Sequence, residues 1–119
     1  MILAAEPQLF VTDIRRACAW YHDKLGFTIA FVHGEPAFYA QVKRDGAALN
    51  LRHVDAPAFV ATEEDLLAAT LTTDDIAALT AEFVASGADL HQPLRTEDWG
   101  ARTLIVRDPD GNLILFAGT

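Results

Sequence analysis

Glu6, Arg52, Glu97, Asp98, Trp99 and four histidines are the residues of this chain with the most chemistry to offer, and their spacing limits what that chemistry is. A divalent-metal site of the usual kind needs about three or more His or carboxylate donors converging on one point. His22, His33, His53 and His91 are each read as solitary, none as half of an i, i+4 helical or i, i+2 strand pair of donors. Cys18 is the single cysteine, which excludes an internal disulfide and leaves it as a small core residue. Glu6 can serve as a general base if burial raises its pKa; the other reading is a strand-start carboxylate paired with a cation such as Arg52. Trp99 lies in the polar connection Arg95–Ala101, next to Gly100 and just after Glu97 and Asp98. An aromatic ring on such a loop can stack on a planar ligand while the two acids attract a cation. Packing of Trp99 against a neighbouring subunit is the alternative.

The elements that must position these residues come as a repeat. Val11-Thr12-Asp13-Ile14, running through Tyr21 to Gly26-Phe27, matches Thr73-Asp74-Asp75-Ile76, running through Phe83 to Gly87. Each copy is a strand end, a helix capped by aspartate, and a glycine stop. Apolar positions at helical spacing predict buried stripes of Ile14, Ala17, Cys18, Tyr21 and Leu25 in the first helix and Ile76, Leu79 and Phe83 in the second. Strands are expected at about 6–11, 27–33, 37–44 and 47–53, and again from about 67, at 89–94, 102–107 and 112–117. The turn Arg44-Asp45-Gly46 in the first half is answered by Asp108-Pro109-Asp110-Gly111 in the second. The order is β-α-β-β-β twice, with repeat one at about 1–53, a linker at about 54–66 and repeat two at about 67–119. Each unit has one sheet face covered by its helix and one bare face that must meet something.

Bulk composition narrows the partners. At 119 residues the chain is one domain. Nine Lys and Arg against seventeen Asp and Glu give a net charge of −8, which argues against nucleic acid and favours cationic small molecules or simple solubility. No basic segment leads into an apolar run near Met1 and no stretch of about 18 apolar residues exists, so a cytoplasmic protein without a membrane span is expected.

With the repeat, the phrase Trp20-Tyr21-His22-Asp23-Lys24-Leu25-Gly26-Phe27 and the run Asp108-Pro109-Asp110-Gly111-Asn112, the chain resembles the vicinal oxygen chelate superfamily, which contains glyoxalase I, extradiol dioxygenases and bleomycin resistance proteins. The resemblance implies an α+β fold in which two βαβββ repeats form a cup-shaped half-barrel sheet. It also implies four metal-ligand positions facing the cup, which fall here on Glu6, Asn50, Ala68 and Leu115. Ala68 and Leu115 have no donor atom and an amide is a poor anchor, so no metal and no other cofactor is expected.

Alternation from those positions places Glu6, Gln8, Phe10, Ala48, Asn50, Arg52, Ala68, Thr70, Thr72, Leu113 and Leu115 on the cup, joined by Thr103 and Ile105. Phe38 and Tyr39 point to opposite faces, so one faces the cup or a partner subunit, and Phe59 in the linker covers the rim. Trp20 is read as core edge or dimer contact. The phrase Asp98-Trp99-Gly100 resembles a loop of bleomycin resistance proteins, in which the tryptophan helps to sandwich the drug. The expected ligand contacts are therefore Trp99, Asp98, Glu97, Phe38, Tyr39, Asn50, Arg52, Glu6, Thr70, Ile105 and Leu115. The expected function is metal-independent sequestration of a small organic molecule, such as a cationic antibiotic, by a homodimer without catalytic residues. The alternative is a divergent enzyme of the same superfamily, a lyase, isomerase or dioxygenase, using Glu6 or a relocated metal.

Overall fold

A computed structural model describes residues 1–58 and 64–119. The chain runs β1 (Gln8–Val11), α1 (Ile14–Leu25), β2 (Thr28–His33), β3 (Tyr39–Arg44) and β4 (Ala47–His53). It then repeats the pattern as β5 (Leu67–Thr73), α2 (Ile76–Ser86), β6 (Leu90–Thr96), β7 (Arg102–Arg107) and β8 (Leu113–Gly118). The strands form two four-stranded mixed sheets of identical topology, β1-β4-β3-β2 and β5-β8-β7-β6, with β1 parallel to β4 and β5 parallel to β8. Both helices start on the aspartate expected of them: Asp13 accepts from the Arg16 amide and Asp75 from the Ala78 amide, each at 3.0 Å. Such a cap is worth about 1 kcal/mol. Both helices end on glycines in the left-handed region, Gly26 at φ 72° and Gly87 at φ 78°, where a Cβ is unfavourable.

All five stripe positions of α1 are buried, as are Ile76 and Phe83 of α2, while Leu79 is half-buried. The backs of the sheets meet them through Leu9, Leu49 and Leu51 in the first repeat and Leu104, Ile114 and Phe116 in the second. Phe83 and Phe116 pack edge to face at 5.0 Å. Strand ends shift by at most two residues from the expected positions, and β4 and β7 not at all. Strand β1 begins at Gln8 rather than at 6: Pro7 has no N–H to give, and the ladder opens at its carbonyl, which accepts from the Asn50 amide at 2.9 Å. Strand β3 begins at Tyr39 because residues 34–37 form the turn returning from β2, which leaves Phe38 just outside the strand. The outermost strands are irregular: β2 shifts register between Ile29 and Phe31, and β6 shifts twice, with Pro93 inside the second shift.

The seam between the repeats is built from the two helices and one loop. Residues 108–112 reach from repeat two into repeat one. Tyr21 Oη donates to Asp108 Oδ2 at 2.8 Å, and Asn112 Nδ2 donates to the Phe10 carbonyl at 3.0 Å. Asp110 Oδ1 accepts from the Thr12 hydroxyl at 2.6 Å and from its amide at 3.0 Å. Asp110 Oδ2 is buried without a hydrogen-bond partner among the described residues. The motif read as a resemblance marker is therefore the bolt that joins the repeats. Across the helices, Lys24 Nζ donates to the Ser86 carbonyl at 2.9 Å and Ser86 Oγ donates to the Lys24 carbonyl at 2.7 Å. Phe59, expected at the rim, lies outside the described residues.

Candidate functional site

The faces of the two sheets turned away from the helices carry most of the residues singled out in the sequence, in register rows. On the first sheet one row is Gln8, Asn50, Gln41 and Phe31, and the next is Phe10, Arg52, Tyr39 and His33. On the second, the rows are Thr70, Leu115, Ile105 and Gln92, then Thr72, Ala117, Thr103 and Arg95. Alternation thus placed Thr70, Leu115 and Ile105 side by side, although Ile105 is only 3% exposed in the single chain.

Glu6 does not pair with Arg52. Its Oε1 accepts from Gln41 Nε2 at 3.3 Å and Asn50 Nδ2 at 3.4 Å, and Gln41 also donates to Asn50 Oδ1 at 2.8 Å. The register explains the exchange: Asn50 sits beside Gln41 one strand over, whereas Arg52 lies a full row further along with Tyr39. Arg52 is exposed and has no ion-pair partner among the described residues. Beside it, Phe31 stacks with Tyr39 at 6.1 Å and lies 4.8 Å from His33, giving three rings on the open face. Phe38, just before Tyr39 in the chain, is 56% exposed. Gln41, Phe31 and His33 were not singled out as contacts, though counting in twos from Tyr39 reaches Gln41.

The loop after β6 is braced rather than loose. Glu97 Oε1 accepts from Arg95 Nε at 2.7 Å and from the Thr103 hydroxyl at 2.9 Å, while Gln92 Nε2 donates to Thr103 Oγ1 at 3.0 Å. The Arg95 bond first, then that from Thr103, holds the Glu97 carboxyl below the ordinary carboxylate range. Its charge is thus already engaged, and of the two acids expected to face a cation only Asp98 is open to solvent. The backbone closes the turn through Glu97 N to Ala101 O at 2.7 Å and Gly100 N to Glu97 O at 2.9 Å. Trp99 stands at its tip, 77% exposed.

The four family metal positions do not suit a divalent ion: Ala68 and Leu115 bring no donor, and Glu6 is held by two carboxamides. Among the described residues no group of three or more His, Cys, Asp and Glu converges on one point. The histidines are engaged one by one. His22 Nδ1 donates to the Phe27 carbonyl at 2.8 Å. His91 Nδ1 accepts from Arg107 at 2.6 Å, which puts its proton on Nε2, facing Asp65 at 2.8 Å. His53 lies 3.1 Å from Asp55, two residues on, a pairing the sequence reading passed over. Burial, outweighing a smaller opposing effect of Arg15, pushes the Cys18 thiol up and keeps it protonated.

A cavity of about 620 Å³ lies beside the second sheet rather than over the centre of either open face. It runs between the repeats, along β5 and the start of α2, and takes in Thr70. No helix among the described residues is long and apolar enough to cross a membrane.

Comparison with solved structures returns the same fold. TioX from Micromonospora sp. ML1 superposes with a TM-score of 0.77 at 26% identity over 95% of each chain. The bleomycin-binding protein of the bleomycin producer Streptomyces verticillus, solved with copper(II)-bleomycin, gives 0.80 at 23% identity over 100% of this chain and 98% of that one. A bleomycin resistance determinant encoded on the transposon Tn5 gives 0.80 at 21% identity over 99% and 98%. No curated protein sequence matches the chain significantly. The family model matches residues 4–116, and on that match the chain belongs to the Glyoxalase/Bleomycin resistance protein/Dioxygenase superfamily.

Proposed function

We propose that this chain is a binding protein that holds a small planar organic molecule without a metal and without turnover, acting by sequestration in the cytoplasm. The observation that carries the reading is Trp99: a large flat ring, 77% exposed, on a turn fixed by the Arg95–Glu97–Thr103 brace. A ring held out by a rigid turn loses little freedom when a ligand stacks on it. The second sheet face beside it supplies Leu115 and Thr70. The ring array of Phe31, Tyr39 and His33, with Arg52, offers a matching platform on the first sheet.

These two platforms belong to different sheets of one chain, so we propose a homodimer in which a second copy brings a first-sheet face opposite the Trp99 loop. Ile2 and Leu3, 94% and 87% exposed, are apolar side chains that such a dimer would cover. Bleomycin, bound by the Streptomyces verticillus protein, is the first probe to use. In a Trp20→Phe background, titration should quench the fluorescence of Trp99, and Trp99→Ala should weaken binding by about tenfold, or ~1.4 kcal/mol. Equal affinity of the Trp99→Ala protein, measured calorimetrically, would falsify the stacking role.

Glu6 supports a second reading. Its Oε1 is held by Gln41 and Asn50, and its exposed carboxylate faces the same side as Arg52. A divergent enzyme using it as a base predicts that Glu6→Gln abolishes a measurable turnover. Sequestration predicts that Glu6→Gln leaves bound stoichiometry unchanged.

A further inference from the structure

The repeats are not equal at their turns, and the inequality leaves a space. In repeat two, five residues, 108–112, connect β7 to β8 and fill the junction of β1 with α1. In repeat one only Asp45 and Gly46 connect β3 to β4, so the corresponding junction of β5 with α2 receives a connection three residues shorter. Arg44 reaches across, with Nη2 2.8 Å from Glu82 and Nη1 donating to the Leu25 carbonyl at 2.7 Å. What the longer loop fills on one side is an open groove of about 620 Å³ on the other.

The groove has the two-part chemistry of a ligand site. Leu71 and Leu79 are the half-exposed apolar side chains of its lining, backed by the buried rings of Phe27, Phe83 and Phe116. Around them stand Asp45, Asp74, Asp75 and Glu82 against the one cation Arg44. Arg44 is committed to Glu82, and Asp75 is committed to the start of α2. Asp74 is exposed and has no side-chain partner among the described residues, while Asp45, its side chain 93% exposed, stands 3.8 Å from Arg44 Nε. β5 is an edge strand of its sheet, so its outer side adds unpaired backbone carbonyls. The volume lies within the ~300–1,000 Å³ range of small-molecule sites. We propose that this inter-repeat groove is a second binding site, separate from the Trp99 loop, and that it takes an amphiphilic organic cation, its ring or alkyl body on Leu71 and Leu79 and its ammonium at Asp74, with the exposed Asp45 carboxylate adding to the negative field.

The test uses the full chain and 1-naphthylmethylammonium, with 1-naphthoate as the anionic counterpart, followed by amide NMR. The cation should shift the amides of Thr72, Asp74, Ala78 and Leu79 saturably, and the naphthoate should not. The double variant Asp45→Asn/Asp74→Asn should weaken the cation by about fivefold. Ala78→Trp, which fills the groove from an exposed helical position, should abolish those shifts while the melting temperature shows the fold retained. Shifts confined to residues 97–101, or equal binding of the naphthoate, overturn the proposal. So does stronger cation binding after removal of Met1–Leu3, which would assign the groove to the N-terminal arm of a second copy.

Discussion

Asp108→Ala should lower the unfolding free energy by about 3–5 kcal/mol, with a fall in Tm on the order of 10–20 °C. Asp108 is 3% exposed and each of its oxygens accepts two hydrogen bonds. Oδ1 takes the amides of Asp110 and Asn112, both at 2.9 Å, and Oδ2 takes Tyr21 Oη and Asn112 Nδ2, both at 2.8 Å. Alanine leaves four donors stranded in the interior and releases the loop that bolts repeat two to α1. Denaturant melts would contradict this if the variant unfolded within about 1 kcal/mol of the parent.

Protonation carries the same network into a pH profile. Burial, more than its hydrogen bonds oppose, raises the Asp108 carboxyl above its ordinary value. Its stabilising share is therefore complete below the unfolded pKa and is lost as pH rises through the folded one. Tyr21 is pushed well above the ordinary phenol value, first by burial and then by the charge of Asp108. Its share persists until the unfolded pKa, about 10, and is lost at higher pH as the unfolded chain ionises first. Tyr21→Phe should remove that alkaline loss, which a stability series from pH 8 to 11 reads directly.

The second large effect is expected at the end of β8. A Cβ on Gly118 would run into the Thr73 carbonyl oxygen and stand 3.0 Å from Thr73 Cγ2. The obstacle is backbone, paired with Gly118 in the parallel ladder, so it cannot swing aside like a side chain. Gly118→Ala should cost about 2–3 kcal/mol through overpacking. Strand β5 has no other neighbour in its sheet, and Thr119 O accepts from the first amide of α2 at 3.1 Å. The damage should therefore spread to faster amide exchange across residues 67–73 and 76–80. Gly46→Ala is the control: nothing lies within 4 Å of the added methyl, and its stability should stay within about 0.5 kcal/mol of the parent.

The features legible in the sequence were those set by neighbours along the chain. Asp13 and Asp75 cap, Gly26 and Gly87 stop, and the helical stripe of Ile14 to Leu25 is buried as spaced. Alternation also sorted most strand residues to their correct faces, with Leu9 and Leu51 inward and Gln8 and Arg52 outward. What escaped depends on register between strands distant in sequence. The partner of Glu6 was sought in Arg52 and is instead Asn50 with Gln41, a row that only the β1–β4–β3 pairing defines. Glu97, expected at a ligand, also accepts from Arg95 and Thr103, partners that only the β6–β7 pairing brings beside it. The groove was least visible, because its cause is residues that are missing. The short Asp45–Gly46 turn can be counted in the sequence, but the space it leaves exists only once α2 is packed beside it.

The irregular outer strands β2 and β6 are poor templates for a further strand. A register shift in β2, and two in β6 together with Pro93, break the straight row of donors and acceptors that an incoming strand needs for edge-to-edge addition. Edge-to-edge addition of a further strand is therefore disfavoured at β2 and β6.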